Sequence, residues 1–164
     1  MARQETLTLV PDLEAACLTA QTTFEGIKRI LIEMLPSATE VLHVGASAIP
    51  GCLTKGDLDI VIRVTQAEFE RADGILATHF ARNAGSARTQ EFSAFEDLGR
   101  AVHVGIQLVA RDGSFDFFHR FVDALRASPE LVRRYNTLKL AFDGKSMVDY
   151  RKAKDAFIAD ALRF

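Results

Sequence analysis

The chain has 164 residues and a formal net charge of −2, and 48% of its residues are hydrophobic while 26% are charged. This balance is typical of a soluble globular protein, so it argues against a disordered chain and against bulk attraction to DNA or an anionic membrane. The length predicts a single domain over residues 1–164, with a mixed α/β half to about residue 112 and a helical half over 113–164.

The N-terminal segment MARQETLTLVPDLEAA has no apolar stretch as long as a signal peptide requires. No run approaches the roughly 20 apolar residues of a membrane span. Cys17 and Cys52 are too few for a disulfide framework. We therefore expect a cytoplasmic protein without a membrane partner.

The first predicted element is a helix that begins near Pro11 and Asp12 and ends near Met34, where Pro36 interrupts the helical spacing of apolar residues. A short strand over 41–45 follows, and its last residue is glycine. The first half of the chain therefore opens with a helix that leads into a sheet.

The segment DLDIVIRV, 57–64, is predicted as the next strand. Leucine and isoleucine occupy one face, while Asp57, Asp59 and Val61 share the opposite face. A helix is predicted over 66–78, where phenylalanine, isoleucine and leucine again recur at helical spacing.

Two later segments also have strand character. QEFSAFE, 90–96, is one, and RAVHVGIQLVA, 100–110, is the other. The second places an apolar row on one face and His103, Gly105 and Gln107 on the other.

Residues from 115 onwards are predicted to be helical. Ser128-Pro129-Glu130 combines a capping hydroxyl, a proline in the first turn and an acidic residue near the positive end of the helix dipole. Gly144 is predicted to end that helix, and Ser146 with Asp149 resembles a capping box for the last one. The overall expectation is a small mixed β-sheet flanked by helices, followed by a helical part.

Asp57 and Asp59 are the most informative polar residues. Two positions apart on a strand, their Cα atoms are about 6.5–7 Å apart and their carboxylates lie on one face. The two negative charges repel each other. A divalent cation such as Mg²⁺ or Mn²⁺ would offset this repulsion, because it prefers hard oxygen ligands. The alternative interpretation is a strand end whose two aspartates face water.

The turn Gly45-Ala46-Ser47 supplies a complementary feature. A glycine after a strand lets backbone approach a phosphate closely, and a helix that began at Ser47 would direct free N–H groups at an anion. Lys55, just before the acidic pair, is placed to reach the same phosphates. Together these residues predict a site for phosphate and metal.

The chain resembles the GrpB-like family, which belongs to the nucleotidyltransferase superfamily, from about Phe24 to Phe157. The N-terminal part of the resemblance rests on His43-Val44-Gly45, Ala48-Ile49-Pro50-Gly51, and Lys55 leading to Asp59. The C-terminal part rests on Leu125-Arg126, Pro129-Glu130-Leu131, Tyr135, Leu138-Lys139, Tyr150, Lys154 and Phe157-Ile158.

This resemblance implies a small mixed sheet, a turn that holds the phosphates of a nucleoside triphosphate, and an Asp-x-Asp pair that binds Mg²⁺. The superfamily normally carries a third carboxylate on a later strand, where this chain offers His103 and Gln107. Either side chain would hydrogen-bond a phosphate or a metal-bound water, but neither replaces the charge. Glu91, Glu96 and Asp112 are the carboxylates that remain available.

Lys139 and Lys154 match the family's C-terminal motifs, and we expect one or both to bind the triphosphate or an acidic acceptor. His43 has two interpretations, a structural histidine or a group directed at the Asp59 face. The phenylalanines between Phe115 and Phe121 likewise form either core or a base-stacking surface.

The leading functional hypothesis is a Mg²⁺-dependent nucleotidyltransferase with an unknown acceptor, in which Asp57 and Asp59 hold the metal. The first alternative is a non-catalytic nucleotide- or phosphate-binding module of the same fold. The second is a structural or interaction protein whose aspartates are merely solvated. The sequence does not select the nucleotide, the acceptor or the oligomeric state.

Overall fold

A computed structural model describes residues 4–36 and 39–163. Five helices and five strands are present in this part of the chain: α1 (Leu13–Met34), β1 (Glu40–Val44), β2 (Leu58–Val64), α2 (Gln66–His79), β3 (Ala81–Arg82), β4 (Phe92–Asp97), β5 (Val104–Ala110), α3 (Phe118–Ala127), α4 (Pro129–Phe142) and α5 (Met147–Leu162). A 3₁₀ turn, Ala46–Ala48, follows β1. The predicted class, a mixed sheet flanked by helices with a helical C-terminal part, is confirmed.

The five strands form one sheet in the order β1-β2-β5-β4-β3. Strand β2 pairs parallel with β5, and the other neighbours pair antiparallel. The register places Asp59 opposite Val44 on one side and opposite Gly105 on the other. The Gly45 turn, Asp59 and Gly105 therefore meet at one end of the sheet.

Helices cover both faces of the sheet. On one face, the apolar side chains of α1 and α2 pack on leucine and isoleucine of β2, such as Ile60, and on the apolar row of β5, such as Ile106. On the other face, α3 and α4 pack on Val61 and Val109, and α5 contributes Phe157. Asp59 shares the second face with Val61, so its carboxylate is directed toward the helical half of the chain.

The segment before α1 joins the two halves. The N–H of Leu7 donates to the carbonyl of Lys145, and Gly144 donates back to Leu7. The N–H of Val10 donates to the carbonyl of Thr54, in the loop before β2. Leu7 packs with Met147 and Tyr150 in a small separate core.

Several boundaries differ from expectation, and two of them bear on the site. The strand predicted over 100–110 begins at Val104, because Asp97 pairs with Val104 and the hairpin between them takes up residues 98–103. Within that hairpin Asp97 accepts from the N–H of Gly99. The helical turn expected to begin at Ser47 begins one residue earlier, with Gly45 as its cap.

The helix starts agree with the capping signals. The Asp12 carboxylate accepts from the N–H of Ala15 at 3.0 Å, and the Ser128 hydroxyl accepts from Leu131 at 3.1 Å. Ser146 accepts from Val148 at 3.2 Å at the start of α5.

Among the described residues, no helix has both the length and the apolar character to cross a membrane. A cytoplasmic location stays a prediction.

Candidate functional site

The Asp59 carboxylate lies between two glycines. A Cβ atom built on Gly45 would be 2.6 Å from Asp59 Oδ2, and one built on Gly105 would be 3.1 Å from Oδ1. Gly45 also has φ +76° and ψ −177°, a backbone conformation that essentially only glycine adopts. Glycine at both positions is thus what allows a carboxylate to occupy this end of the sheet.

Burial raises the pKa of Asp59, and the like charge of Asp57 raises it further. The positive charges of Lys154, Lys55 and His103 act in the opposite direction. The protein therefore holds a half-buried carboxylate whose negative charge is only partly compensated. A bound cation would stabilise its ionised form.

Asp57 precedes β2 and is less enclosed. Its Oδ2 is 3.1 Å from Nζ of Lys55 and 3.5 Å from Nδ1 of His103. Nε2 of His103 lies 3.2 Å from Oε1 of Glu96, which stands opposite Gly105 in the sheet. The fold thus brings Asp57, Lys55, His103 and Glu96 together beside Asp59.

The other two carboxylates considered as replacements for the third one are placed elsewhere. Glu91 accepts from the N–H of Ser114, and its carbonyl accepts from Ala110 at the far end of β5. Asp112 lies in the turn after that end. Five residues of strand, about 17 Å, separate Ala110 from Gly105. Of the three, only Glu96 reaches the site.

Gln107 lies in β5, the strand on which a third carboxylate is expected, and it lines the polar cleft with Asp59. Its Oε1 is buried and accepts no hydrogen bond from the residues that the structure describes. A buried acceptor without a partner is costly, so a water or a ligand donor is expected to bind this oxygen. A donor from a ligand would satisfy it.

Ser47 is buried, and its hydroxyl belongs to a network beneath the turn. The hydroxyl donates to the carbonyl of Asp57 at 2.9 Å, and His43 Nε2 is 3.0 Å from the same oxygen. His43 Nδ1 contacts the Gln21 amide at 2.9 Å. The Gln21 amide oxygen accepts from Nδ1, while its nitrogen donates to Glu25 at 3.2 Å, so the Ser47 hydroxyl lies between Nε2 of His43 and the Asp57 carbonyl.

This network settles the interpretation of His43 as a structural histidine. Burial and the charge of Arg126 lower its pKa to about 4, so the imidazole is neutral at pH 7. Stacking on Phe24 at a centroid distance of 5.2 Å fixes the ring further. The Ser47 hydroxyl predicted to bind phosphate is therefore already engaged, and the turn offers its backbone N–H groups instead.

The two lysines predicted to face the cleft have different surroundings. Lys139 is buried, donates to the carbonyl of Leu53 and lies 4.2 Å from the centroid of the Tyr135 ring. Burial lowers its pKa to about 8. Lys154 is partly exposed and makes no hydrogen bond or ion pair with any described residue, although its charge acts on Asp59. Lys154 is thus the lysine available to a ligand.

Sequence reasoning missed a set of contacts that fixes the loop between the turn and Asp57. Asn136 accepts from the N–H of Leu53 at 2.8 Å and donates to the carbonyl of Gly51 at 2.9 Å. Arg126 donates to the carbonyl of Ala48 at 2.9 Å, and Lys139 reaches Leu53. The C-terminal motif residues Arg126 and Lys139 therefore contact the N-terminal motif, a pairing that only the fold reveals.

Two cavities meet at Asp59. The polar cleft, of about 200 Å³, is lined by charged residues that include Lys55, Asp57 and Lys154. The apolar cavity, of about 160 Å³, lies under α3–α5 and is lined largely by aromatic and aliphatic side chains. Asp59 and Gln107 border both. The helical half closes this site from its own chain.

The donor set fits part of a metal site. Asp57 and Asp59 provide hard oxygens, and Mg²⁺ usually takes one or two carboxylates together with substrate phosphate oxygens. In the described part of the chain, no group of three His, Cys, Asp or Glu side chains is arranged to hold a metal ion. The residues therefore suit a cation that arrives with a phosphate ligand better than one held by protein alone.

Comparison with known proteins identifies the family. The family model described as GrpB protein matches residues 13–163. The chain belongs to the GrpB protein family. A UPF0157 protein of Vibrio cholerae is 42% identical over 130 residues, which are 79% of this chain and 68% of that protein. The resemblance inferred from the motifs is confirmed.

Solved structures confirm the fold. The GrpB protein of Enterococcus faecalis superposes with a TM-score of 0.70 at 19% identity, covering 88% of this chain and 93% of the other. The Cid1 poly(U) polymerase with MgGTP bound has a TM-score of 0.53 at 11% identity, covering 77% and 41%. A cytoplasmic RNA terminal U-transferase has a TM-score of 0.55 at 12% identity, covering 82% and 40%. This GrpB family protein therefore has a nucleotidyltransferase-like fold.

Proposed function

We propose that this GrpB family protein binds a nucleoside triphosphate with Mg²⁺ or Mn²⁺ and transfers a nucleotidyl group to an acceptor hydroxyl. The observation that carries the proposal is the Asp59 carboxylate, seated between Gly45 and Gly105 and bordering a polar cleft with Lys154 and Asp57. Partial burial of a carboxylate costs free energy, so its presence here is best explained by a ligand that needs the charge.

The residues have complementary roles in this proposal. Asp57 and Asp59 would hold the cation, which supplies charge neutralisation at the transferred phosphorus. Lys154 and Lys55 bind phosphate oxygens, since both line the polar cleft. The N–H groups of Ala46 and Ser47, at the start of the turn, offer further donors to phosphate, whereas the N–H of Ala48 donates to the carbonyl of Gly45. The fold shared with nucleotide-bound Cid1 supports this assignment.

A non-catalytic module that binds nucleotide or phosphate is the second candidate. The strand expected to carry a third carboxylate offers His103 and Gln107 instead, and Glu96 reaches the site through its contact with His103. Without a third charge, activation of an attacking hydroxyl loses one contributor. This candidate predicts the same binding and no turnover.

Calorimetric titration with each nucleoside triphosphate, in Mg²⁺ and in chelator, tests both candidates. We expect binding that needs Mg²⁺ and is lost in Asp59→Asn, while Asp123→Asn, an exposed change on α3, leaves it intact. Pyrophosphate release in the presence of acceptors then separates transferase from binding module. No binding under either condition would contradict both candidates and favour a structural or interaction protein.

A further inference from the structure

The apolar cavity is not used by the nucleotide site described above, whose proposed ligands lie in the polar cleft. Phe117, Phe118 and Phe121 come to it from α3 and the turn before it, and Ile158 comes from α5. Its volume of about 160 Å³ is close to the 150 Å³ or so at which a purely apolar cavity admits a molecule of the size of benzene. The space thus suits one ring or a short aliphatic chain.

The chemistry of the lining selects an uncharged molecule with few polar atoms. Asp59, Gln107 and Lys154 line this cavity where it meets the polar cleft. The other polar groups of the wall are engaged elsewhere, since the Tyr135 hydroxyl is 3.4 Å from that of Tyr150 and Cys52 is contacted by Lys139. A nucleobase carries several donors and acceptors on its edges, and burying them without partners is costly. An alcohol or a phenol brings only one polar group.

The position of that one polar group follows from Gln107. Its Oε1 is a buried acceptor without a partner among the described residues, and Gln107 lies with Asp59 where the apolar cavity meets the polar cleft. A hydroxyl donating to this oxygen would lie at the junction. The body of the molecule would then fill the apolar cavity, and its oxygen would face the cleft that holds phosphate.

We propose that the apolar cavity binds a small uncharged alcohol or phenol of roughly six to eight carbon atoms, and that this molecule is the acceptor, a role that rests on the proposed function. In the transfer, the hydroxyl oxygen forms a bond to the α-phosphorus and the bond from that phosphorus to the bridging oxygen breaks. Pyrophosphate leaves with the electron pair, and the hydroxyl proton passes to water in the polar cleft.

Binding is tested first, without nucleotide or metal. Phenol and 2-phenylethanol are titrated into the protein and followed by calorimetry and by saturation-transfer NMR, with glycerol and benzoate as polar and charged controls. We expect saturable binding of the first two alone. Ile158→Phe fills the cavity and should weaken it at least tenfold, whereas Val148→Phe, an exposed change on the same helix, should leave it unchanged.

Transfer is tested next, with Mg²⁺, a nucleoside triphosphate and 2-phenylethanol. The expected result is pyrophosphate release and a nucleotidyl ester detectable by mass spectrometry, both lost in Ile158→Phe while triphosphate binding persists. Phe118→Trp, at a half-buried cavity position, repeats the test if Ile158→Phe does not fold.

Three results would overturn the proposal, each differently. Failure of all probes to bind would make the cavity a packing void. Loss of triphosphate binding in Ile158→Phe, with no alcohol bound, would assign the cavity to the nucleobase. If the protein binds the alcohol but no nucleoside triphosphate, the cavity is an alcohol site but the alcohol is not an acceptor. That result would contradict the proposed nucleotidyl transfer itself.

Discussion

A Cβ atom on Gly45 would lie 2.6 Å from Oδ2 of Asp59, closer than two such atoms can approach. The turn after β1 and the first carboxylate of β2 are therefore matched to each other. Strand pairing enforces the match, because Val44 lies directly opposite Asp59. Four measurements follow from this and neighbouring contacts.

Three glycine substitutions separate backbone strain from crowding of Asp59. Gly51→Ala, at φ +75° with open space around its Cβ, should cost about 1 kcal/mol of unfolding free energy from left-handed strain alone. Gly45→Ala meets Asp59 as well and should cost about 2–4 kcal/mol. Gly105→Ala crowds Asp59 Oδ1 without that strain.

Denaturant unfolding and nucleotide titration measure the series. We expect Gly45→Ala and Gly105→Ala to weaken Mg²⁺-dependent nucleotide binding and Gly51→Ala to preserve it. Equal stability of Gly45→Ala and Gly51→Ala would mean that Asp59 moves aside without cost, and the carboxylate would not be fixed by its glycines.

Lys154→Met tests the lysine that no described residue engages. Loss of one charge-assisted contact should weaken nucleotide binding roughly 10- to 100-fold while stability changes little. The matched control is Lys152→Met, an exposed lysine on the same helix. If both variants bind equally well, Lys154 does not contact phosphate.

Asn136→Ala should destabilise the loop before β2. It removes two hydrogen bonds and leaves the N–H of Leu53 without its acceptor, so we expect a loss of about 2–3 kcal/mol in unfolding free energy. Thr137→Ala, its exposed neighbour on α4, should stay within about 0.5 kcal/mol. A loss no larger than that of the control would show that the loop is held by its other contacts.

The pH dependence of stability should report His43. Its pKa is lowered to about 4 in the folded protein from 6.5, so the unfolded chain binds more protons between those values. The neutral imidazole contributes fully to the free energy of unfolding above pH 6.5. This contribution, of up to about 3 kcal/mol, is lost as the pH falls through 4.

Unfolding of wild type and His43→Asn is compared at intervals from pH 7.5 to pH 4. Carboxylates contribute to acid destabilisation in both proteins, so the difference between the two curves isolates the histidine. Parallel curves would mean that His43 titrates normally and is not enclosed by Ser47, Phe24 and Gln21.

Several elements were determined by the sequence itself. The apolar spacing in α1, the caps at Asp12 and Ser128 and the alternation in β2 and β5 reflect local rules of backbone and side-chain geometry, and each element formed in the predicted segment, although β5 begins at Val104 rather than at residue 100. The motifs also identified the family before any comparison, since the GrpB match covers residues 13–163.

The tertiary structure alone decided which distant residues meet. The parallel pairing of β2 with β5 set Gly105 against Asp59, and the hairpin turned His103 and Glu96 toward Asp57. The tertiary structure also gives different surroundings to two lysines that are equivalent as motif residues. Lys139 is buried against Leu53, whereas Lys154 lines the cleft. Such contacts depend on packing between segments far apart in the chain, and local spacing carries no information about them.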